Sequence, residues 1–330
     1  MSIVILILVI IIALVFAYTN GFHDSANAIA TVVSTKVLTP RVAVTYGALL
    51  NFCGAFFGIN VAKTIGVGLV ASGSINQTVI ICGLLAAIIW NFVTRFYGLP
   101  SSSSHALIGG LLGASAMHAS MKIINLHGVT YKVLIPMIIS PILGMIISFI
   151  FIMLLLKIFH KLTPHKANKY FSKLQLISSG LMAFSHGAND TQKIMGVVTL
   201  ALISFYSLKT FQVPIWVTVI CAIGMALGTM IGGWKIIRTM GHKIIKLKPI
   251  HGFAAETCAS GILLAASHMG IPLSTTHVMS GSIIGSGSGK RISAVKWSVV
   301  GNMVIAWILT IPACMLLAGA LYYIFTLPIK

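Results

Sequence analysis

The chain has 330 residues, of which 58% are hydrophobic and 8% are charged, and its mean hydropathy is +1.02. A soluble domain needs a charged surface, so these values exclude an ordinary soluble protein and indicate an all-α polytopic membrane protein. The formal charge of +19 does not indicate a nucleic-acid partner, because the Lys and Arg residues lie in short loops between apolar segments.

Several apolar segments are long enough to cross a bilayer, which takes about 20 residues in a helix. The first, 2–34, is longer than that and is interrupted near Asn20-Gly21, which predicts two half-helices joined by unwound backbone. The segment 174–205 has the same interruption at Gly187. The other predicted spans and hairpin arms are 40–60, 77–97, 104–118, 132–158, 213–234, 253–268, 276–285 and 295–325, with a Gly- and Ser-containing loop before Asn76.

Three motifs occur twice, in the same order, and this predicts a duplication. The paired motifs are Gly21-x-x-Asp24 with Gly187-x-x-Asp190, 63–66 (KTIG) with 238–241 (RTMG), and 98–105 (GLPSSSSH) with 270–277 (GIPLSTTH). The predicted units are a first repeat at 1–158, a basic cytoplasmic linker at 159–173 and a second repeat at 174–330. The sequences at 98–104 and 270–276 are the predicted hairpin tips.

The distribution of basic residues predicts the topology. If both tips are turns of re-entrant hairpins and the N-terminus is outside, 15 of the 22 Lys and Arg residues fall on the inner side, in the groups 36–41, 157–173, 235–248 and 290–296. This satisfies the positive-inside rule. The two halves are then antiparallel, which predicts an inverted-repeat transporter with broken helices and two re-entrant helical hairpins. Both termini would lie outside the cell membrane and the basic central loop in the cytoplasm.

The hairpin tips have the composition of an anion site. Pro favours the first turn of a helix and Ser or Thr is a good N-cap, so each tip is expected to begin a half-helix. The free N–H groups and the positive end of the helix dipole bind oxyanions. The residues concerned are 102–104 and 274–276. The alternative is that these hydroxyls only satisfy neighbouring backbone groups.

The chain has three acidic residues, and two of them, Asp24 and Asp190, lie at membrane depth in the repeated motif. A carboxylate there is energetically expensive and usually marks an ion or substrate path. Both can bind Na⁺ or carry a proton, and the amide oxygens of Asn27 and Asn189 can contribute ligands. The two sites differ, because alignment places Asn27 opposite Lys193. Lys193 either pairs with Asp190 on one helix face or contacts the anion.

Other polar residues have less specific interpretations. Glu256, the third acid, lies near the cytoplasmic vestibule or is a third protonatable site. His23 can tune coupling near neutral pH. His105 and His277 follow the two tips and are expected to brace them from behind. Arg95 either contacts the anion, snorkels towards the membrane surface or has a partner within the helix bundle.

At these residues the chain resembles the PiT family of inorganic phosphate transporters. The matching segments are 21–35 (GFHDSANAIATVVST), 98–110 (GLPSSSSHALIGG), 185–196 (SHGANDTQKIMG), 252–257 (GFAAET) and 270–285 (GIPLSTTHVMSGSIIG). Relative to the family pattern, the first motif has His23 in place of Asn, and the second has Gln192-Lys193 in place of Ala-Asn. The resemblance implies a dimeric secondary transporter that takes up phosphate, bare or as a metal complex, with a cation.

We therefore expect a phosphate symporter driven by H⁺ or Na⁺ through alternating access, with no other cofactor and no enzymatic activity. The alternatives are a sulfate permease of the same family, a passive anion channel and a membrane-embedded phosphatase. The predicted phosphate-binding residues are Asn27, Ser102, Ser103, Ser104, Asn189, Gln192, Lys193, Ser274, Thr275 and Thr276. The predicted coupling residues are His23, Asp24, Asn27, Asn189, Asp190 and Glu256, of which Asp24, Asn27 and Asp190 would bind Na⁺ in a sodium-coupled protein.

Overall fold

The computed structural model describes residues 3–70, 75–289 and 291–327, which form twelve helices joined by short loops. Each half of the chain supplies six of them. The first six are α1 (Ile3–Ser34), α2 (Pro40–Gly54), α3 (Asn60–Val67), α4 (Gln77–Tyr97), α5 (Ser103–Ala119) and α6 (Leu126–Ile158). The second six are α7 (Pro164–Tyr206), α8 (Ile215–Ile231), α9 (Trp234–Lys243), α10 (Pro249–His268), α11 (Thr275–Ser288) and α12 (Trp297–Thr326).

The distribution of polar side chains is that of a membrane protein. Helices α1, α4, α6 and α12 are each long and apolar enough to cross a bilayer. Their large apolar side chains point outward, as at Ile138 on α6 and Leu316 on α12, which are 61% and 77% exposed. Asp24 and Lys193, in contrast, are buried. Lipid is an apolar solvent, so this arrangement places the charges where protein groups can satisfy them.

Helices of one half pack against helices of the other half, and the packed pairs correspond between the halves. Helix α1 packs against α8 of the other half, and α7 packs in the same way against α2. The hairpin helix α5 packs against α12, and its counterpart α11 packs against α6. The two halves therefore pack against each other through corresponding helices, and buried side chains lie between them.

The predicted break in the first helix of each half is wrong. Helices α1 and α7 are continuous through Gly21 and Gly187. A Cβ at Gly21 would overlap the carbonyl oxygen of Met225 on α8, and one at Gly187 would overlap that of Asn51 on α2. The glycines allow two helix backbones to cross closely, which is how small residues act in membrane bundles.

The breaks occur instead in the second helix of each half. The predicted span 40–60 ends as a helix at Gly54, and the chain resumes as α3 at Asn60. The predicted span 213–234 forms α8, which is followed by α9 at an angle of 61°. Gly232 lies at this bend with a φ of +74°, a value that favours glycine.

The two hairpins have the predicted tips. Gly98 and Gly270 end α4 and α10 with φ values of +66° and +69°, in the left-handed region. The hydroxyls of Ser102 and Ser274 then accept hydrogen bonds from the backbone N–H of the residue three positions on, which caps α5 and α11. Helix α5 packs back against α4, and α11 against α10. The arms are a little longer than predicted at most of their ends.

Glycines also set the packing of the hairpins against the rest of the bundle. A Cβ at Gly281 or Gly285 on α11 would overlap carbonyl oxygens of α6, at Pro141 and Met145. The corresponding glycines of α5, at positions 109 and 113, meet the carbonyl oxygens of residues 311 and 315 on α12 in the same way. The hairpin helices are therefore held by close backbone contact in both halves.

The predicted linker at 159–173 is shorter in the structure. Helix α7 begins at Pro164, a residue suited to the first helical position, and runs on through the basic segment. The linker is therefore only 159–163. Of the other predicted features, residues 71–74 of the Gly- and Ser-containing loop, Lys290 of the basic group 290–296, and the ends of the two repeats at 1–2 and 328–330 lie outside the described residues.

Candidate functional site

The repeated motifs of α1 and α7 meet the two hairpin tips in one polar cluster inside the bundle. Asp24 comes from α1, Asp190 from α7, and the hydroxyl residues come from the first turns of α5 and α11. No residue of the cluster is more than 2% exposed. Hydrogen bonds within the cluster therefore take the place of water.

Asp24 contacts a histidine and a hydroxyl group. Its Oδ1 lies 2.7 Å from Nδ1 of His23 and accepts a hydrogen bond of 3.4 Å from the hydroxyl of Thr276. The other ring nitrogen of His23 lies 3.0 Å from Oγ1 of Thr94. Within the described residues, no Lys or Arg forms an ion pair with Asp24.

Asp190 has a lysine as its partner. The ammonium of Lys193 lies 2.5 Å from Asp190 Oδ1, and both side chains are buried. Asp190 Oδ2 accepts a hydrogen bond of 3.1 Å from Thr275 and lies 3.2 Å from Nε2 of His186. The i, i+3 pair expected on one helix face is therefore present.

Lys193 and Asn27 connect the motifs to the tips. Lys193 donates to the hydroxyl of Ser104 at 2.5 Å, in the first tip, and to the carbonyl oxygen of Leu273 at 2.6 Å, in the second. Asn27 Nδ2 lies 3.0 Å from the hydroxyl oxygens of both Thr275 and Thr276. The second tip thus contacts residues of both halves.

The structure brings together most of the predicted site residues. Ligand atoms of Asp24, Asp190 and His186 lie within 4.8 Å of one another, close enough to share one ion. Ser103 reaches this group through His23, with its Oγ 3.4 Å from Nδ1. The hydroxyls of Ser102 and Ser274 accept hydrogen bonds from backbone N–H groups and cap α5 and α11. For these two residues, the alternative that the hydroxyls satisfy neighbouring backbone groups is the one observed.

Two predicted phosphate ligands have other partners. Gln192 accepts a hydrogen bond from the backbone N–H of Val61 at 3.0 Å and donates to the carbonyl of Ala188. It caps the start of α3, outside the cluster. Asn189 donates to the hydroxyl of Ser267 at 2.9 Å, and its Oδ1 has no partner among the described residues. That buried amide oxygen remains free to accept a hydrogen bond.

Glu256 lies in a separate polar cluster. Its carboxylate accepts hydrogen bonds from Thr31 at 2.5 Å, from Gln175 at 3.1 Å and from Ser178, and it is fully buried. Thr31 is two helical turns from Asp24 on α1, which is about 10 Å along the axis. Glu256 is thus a third acidic position, separate from the two aspartates.

His105 and His277 lie behind the tips and touch each other, with ring centroids 4.8 Å apart. His277 also stacks on Trp307, whose indole N–H donates to the carbonyl oxygen of Pro100 in the first tip. These contacts join the two tips. Arg95 lies over the ring of Phe22 at 4.1 Å, so its partner is within the bundle.

Sequence reasoning missed several residues of the two clusters. His186 precedes Gly187 in the second motif, and its place in a polar run was the only available signal. Thr31 is seven residues after Asp24, on the same face of α1. Gln175 and Ser178 are polar residues spaced by three on an otherwise apolar stretch, a pattern that gives a shared face but no partner.

Comparison with known proteins identifies the family of this chain. A family model described as "Phosphate transporter family" matches residues 20–318, which is most of the chain. The chain belongs to the phosphate transporter family.

Curated members of the phosphate transporter family are similar over nearly their whole length. A protein of Rhizobium meliloti named "Probable low-affinity inorganic phosphate transporter" is 44% identical over 316 residues, covering 95% of this chain and 94% of that protein. A Bacillus subtilis protein of the same name is 43% identical over 322 residues and 96% of each chain. The relatives are named as transporters, so the phosphatase alternative has no support among them.

The fold is also that of a solved structure. The structure titled "The sodium-dependent phosphate transporter" matches with a TM-score of 0.88 and 26% identity, covering 99% of this chain and 100% of the other. The all-α membrane fold predicted from composition is thereby confirmed.

Proposed function

We propose that this protein is a symporter that moves inorganic phosphate across a cell membrane together with H⁺ or Na⁺. The observation that carries the proposal is the convergence of two helix N-termini and two aspartates in one buried cluster. Helix N-termini bind oxyanions, and carboxylates bind cations or protons. A single cluster thus offers ligands for both species.

Phosphate fits this cluster better than sulfate. The first turns of α5 and α11 supply hydroxyl donors at Ser103, Ser104, Thr275 and Thr276. Protonated phosphate can also donate a hydrogen bond to Asp24, whereas sulfate at neutral pH has no proton to donate. The names of the relatives support the same substrate.

Charge explains why a cation is required. Lys193 balances the charge of Asp190, whereas Asp24 has no Lys or Arg partner among the described residues. An anion next to Asp24 is unfavourable until a cation or proton neutralises that carboxylate, and so each species promotes binding of the other. His23 beside Asp24 supports proton coupling, and the similar sodium-dependent transporter supports sodium.

The packing of helices from one half against the other supports alternating access. The matched contacts between α1 and α8 and between α7 and α2 support an inverted repeat. In this proposal the tips separate from the motifs on one side at a time, while the cluster stays near the midplane. The positive-inside rule supports an orientation with the termini outside and the basic central loop in the cytoplasm.

Uptake of labelled phosphate into proteoliposomes tests the proposal. Under a separately imposed pH or Na⁺ gradient, the protein is expected to accumulate phosphate above the external concentration, and a tenfold excess of sulfate is expected to leave the rate nearly unchanged. Strictly downhill movement under both gradients would identify a passive channel. Strong competition by sulfate would identify a sulfate permease.

A further inference from the structure

The second-half site holds a positive charge that belongs to the protein itself. We propose that the ammonium of Lys193 is a tethered substitute for a coupling cation, so that only the site at Asp24 takes a cation from solution. The role of this cation in coupling rests on the proposed function. The replacement of an ion by a side chain is a property of the site and is testable without transport.

The surroundings of the ammonium have the composition of a cation site. Its nitrogen contacts three oxygens: a carboxylate oxygen of Asp190 at 2.5 Å, the hydroxyl of Ser104 at 2.5 Å and the carbonyl oxygen of Leu273 at 2.6 Å. They come from α7 and from both hairpin tips. Carboxylates and exposed backbone carbonyls at helix ends are the groups that hold Na⁺ in transporters of this architecture.

The donor count of lysine matches this set. An ammonium has three N–H donors and no acceptor, and here it meets three acceptors. Lys193 is 1% exposed, so these contacts replace its hydration. Because its donors are all engaged, Lys193 acts on phosphate through its charge in this conformation, and its predicted role as a direct phosphate ligand needs one of these bonds to break.

The internal repeat supplies the comparison that identifies the lysine as a replacement. Aligning the two motifs and the two tips gives the first-half counterpart of each group. The counterparts of Asp190, Ser104 and Leu273 are Asp24, Thr276 and Ser101, and Asn27 stands in place of Lys193. The first half therefore has an equivalent carboxylate, hydroxyl and tip carbonyl, with a neutral amide where the second half has an ammonium.

Three of the first-half residues, Asp24, Asn27 and Thr276, already lie close together. Thr276 Oγ1 is 3.4 Å from Asp24 Oδ1, and Asn27 donates its amide to Thr276 at 3.0 Å. A cation from solution is needed here to play the part that Lys193 plays in the other half. Each transport cycle then takes up one solution cation fewer at this cluster than it would with Asn at both positions.

Binding of radioactive Na⁺ to purified protein, with phosphate absent, tests this inference. Lys193→Asn restores the first-half residue type and is expected to bind one more Na⁺ per chain than the wild type. Lys193→Met is the matched control, because it removes the charge without adding an oxygen, and it is expected to gain much less. Equal Na⁺ binding by folded Lys193→Asn and wild-type protein would overturn the inference.

Replacement of a cation by Lys193 also predicts how Na⁺ affects a Lys193→Asn variant that folds poorly. If Lys193→Asn aggregates when purified in choline chloride, Na⁺ is expected to restore monodisperse protein by occupying the vacated position. Aggregation in both salts would count against the inference. Phosphate uptake by the wild type is measured separately, so failure of the proposed function and failure of this inference give different results.

Discussion

Each half of the molecule has a buried aspartate at a corresponding position, and the charged partners of the two aspartates differ. Asp24 and Asp190 each lie three residues after a glycine at which two helices cross, and each faces a hairpin tip. Among the described residues, Asp190 forms an ion pair with Lys193, whereas Asp24 contacts His23 and the hydroxyl of Thr276. The two motifs thus have corresponding positions in the bundle and differ in their charged partners.

The polar cluster around Glu256 has no polar equivalent at the aligned positions of the other half. Its members Glu256, Gln175 and Thr31 bond one another in the second hairpin's half of the bundle. The aligned positions of the other half are apolar and buried, at residues 84, 9 and 197. The close helix crossings thus recur in both halves, whereas this polar cluster has apolar residues at the aligned positions.

The largest effect is expected from breaking the Asp190–Lys193 pair. Asp190→Asn leaves a buried ammonium without its counter-ion, which costs about 3–5 kcal/mol of folding stability. The double variant Asp190→Asn, Lys193→Met is expected to recover part of this loss. Thermal unfolding in detergent measures both. Additive losses in the double variant would show that the two side chains do not act as a pair.

Asp24→Asn is expected to separate function from stability. It removes the carboxylate that has no lysine partner, so the unfolding temperature should change far less than in Asp190→Asn. Phosphate uptake should fall by about 100-fold, since the loss of one coupling carboxylate is worth on the order of 3 kcal/mol. Uptake within twofold of the wild type would exclude Asp24 from the coupling site.

The glycine crossings predict a steric effect in both halves. Gly21→Ala and Gly187→Ala place a methyl group on a neighbouring carbonyl oxygen, and each is expected to destabilise the protein by about 1–3 kcal/mol. Gly261→Ala on α10 is the control, because a Cβ there meets nothing within 4 Å. It should be neutral or slightly stabilising. A loss as large as that of Gly187→Ala would contradict the packing argument.

The smallest effect is expected at Arg95, which has no basic counterpart in the second half. Its guanidinium lies over Phe22 and is not part of the cluster, so Arg95→Gln should lose about 1 kcal/mol of stability or less. The apparent affinity for phosphate should stay within about twofold. A tenfold loss of affinity, measured by uptake at varied phosphate concentration, would place Arg95 in the anion path.

Local chemistry explains what the sequence could predict. The tips follow from Gly98 and Gly270 at helix ends and from Ser102 and Ser274 as N-caps, all of which act within a few residues. The pairing of the two aspartates followed from the internal repeat. Neither prediction needed knowledge of distant contacts.

The wrong predictions concern contacts between distant segments. A glycine in a polar run suits either unwound backbone or a close helix crossing, and only the neighbouring carbonyl of Met225 shows which occurs at Gly21. Gln192 has the same ambiguity, because its partner, Val61, lies in another half of the chain. The backbone conformation at Gly21 and the partner of Gln192 depend on packing against distant segments, which the local sequence does not show.

In the proposed function, phosphate and its coupling cation share one cluster and promote each other's binding. The most direct measurement is the phosphate affinity of the purified protein by calorimetry, with and without Na⁺ and across a range of pH. Phosphate is expected to bind at least about fivefold more tightly when one of the two cations is supplied, and this effect is expected to be lost in Asp24→Asn. Equal affinity under all of these conditions would contradict it.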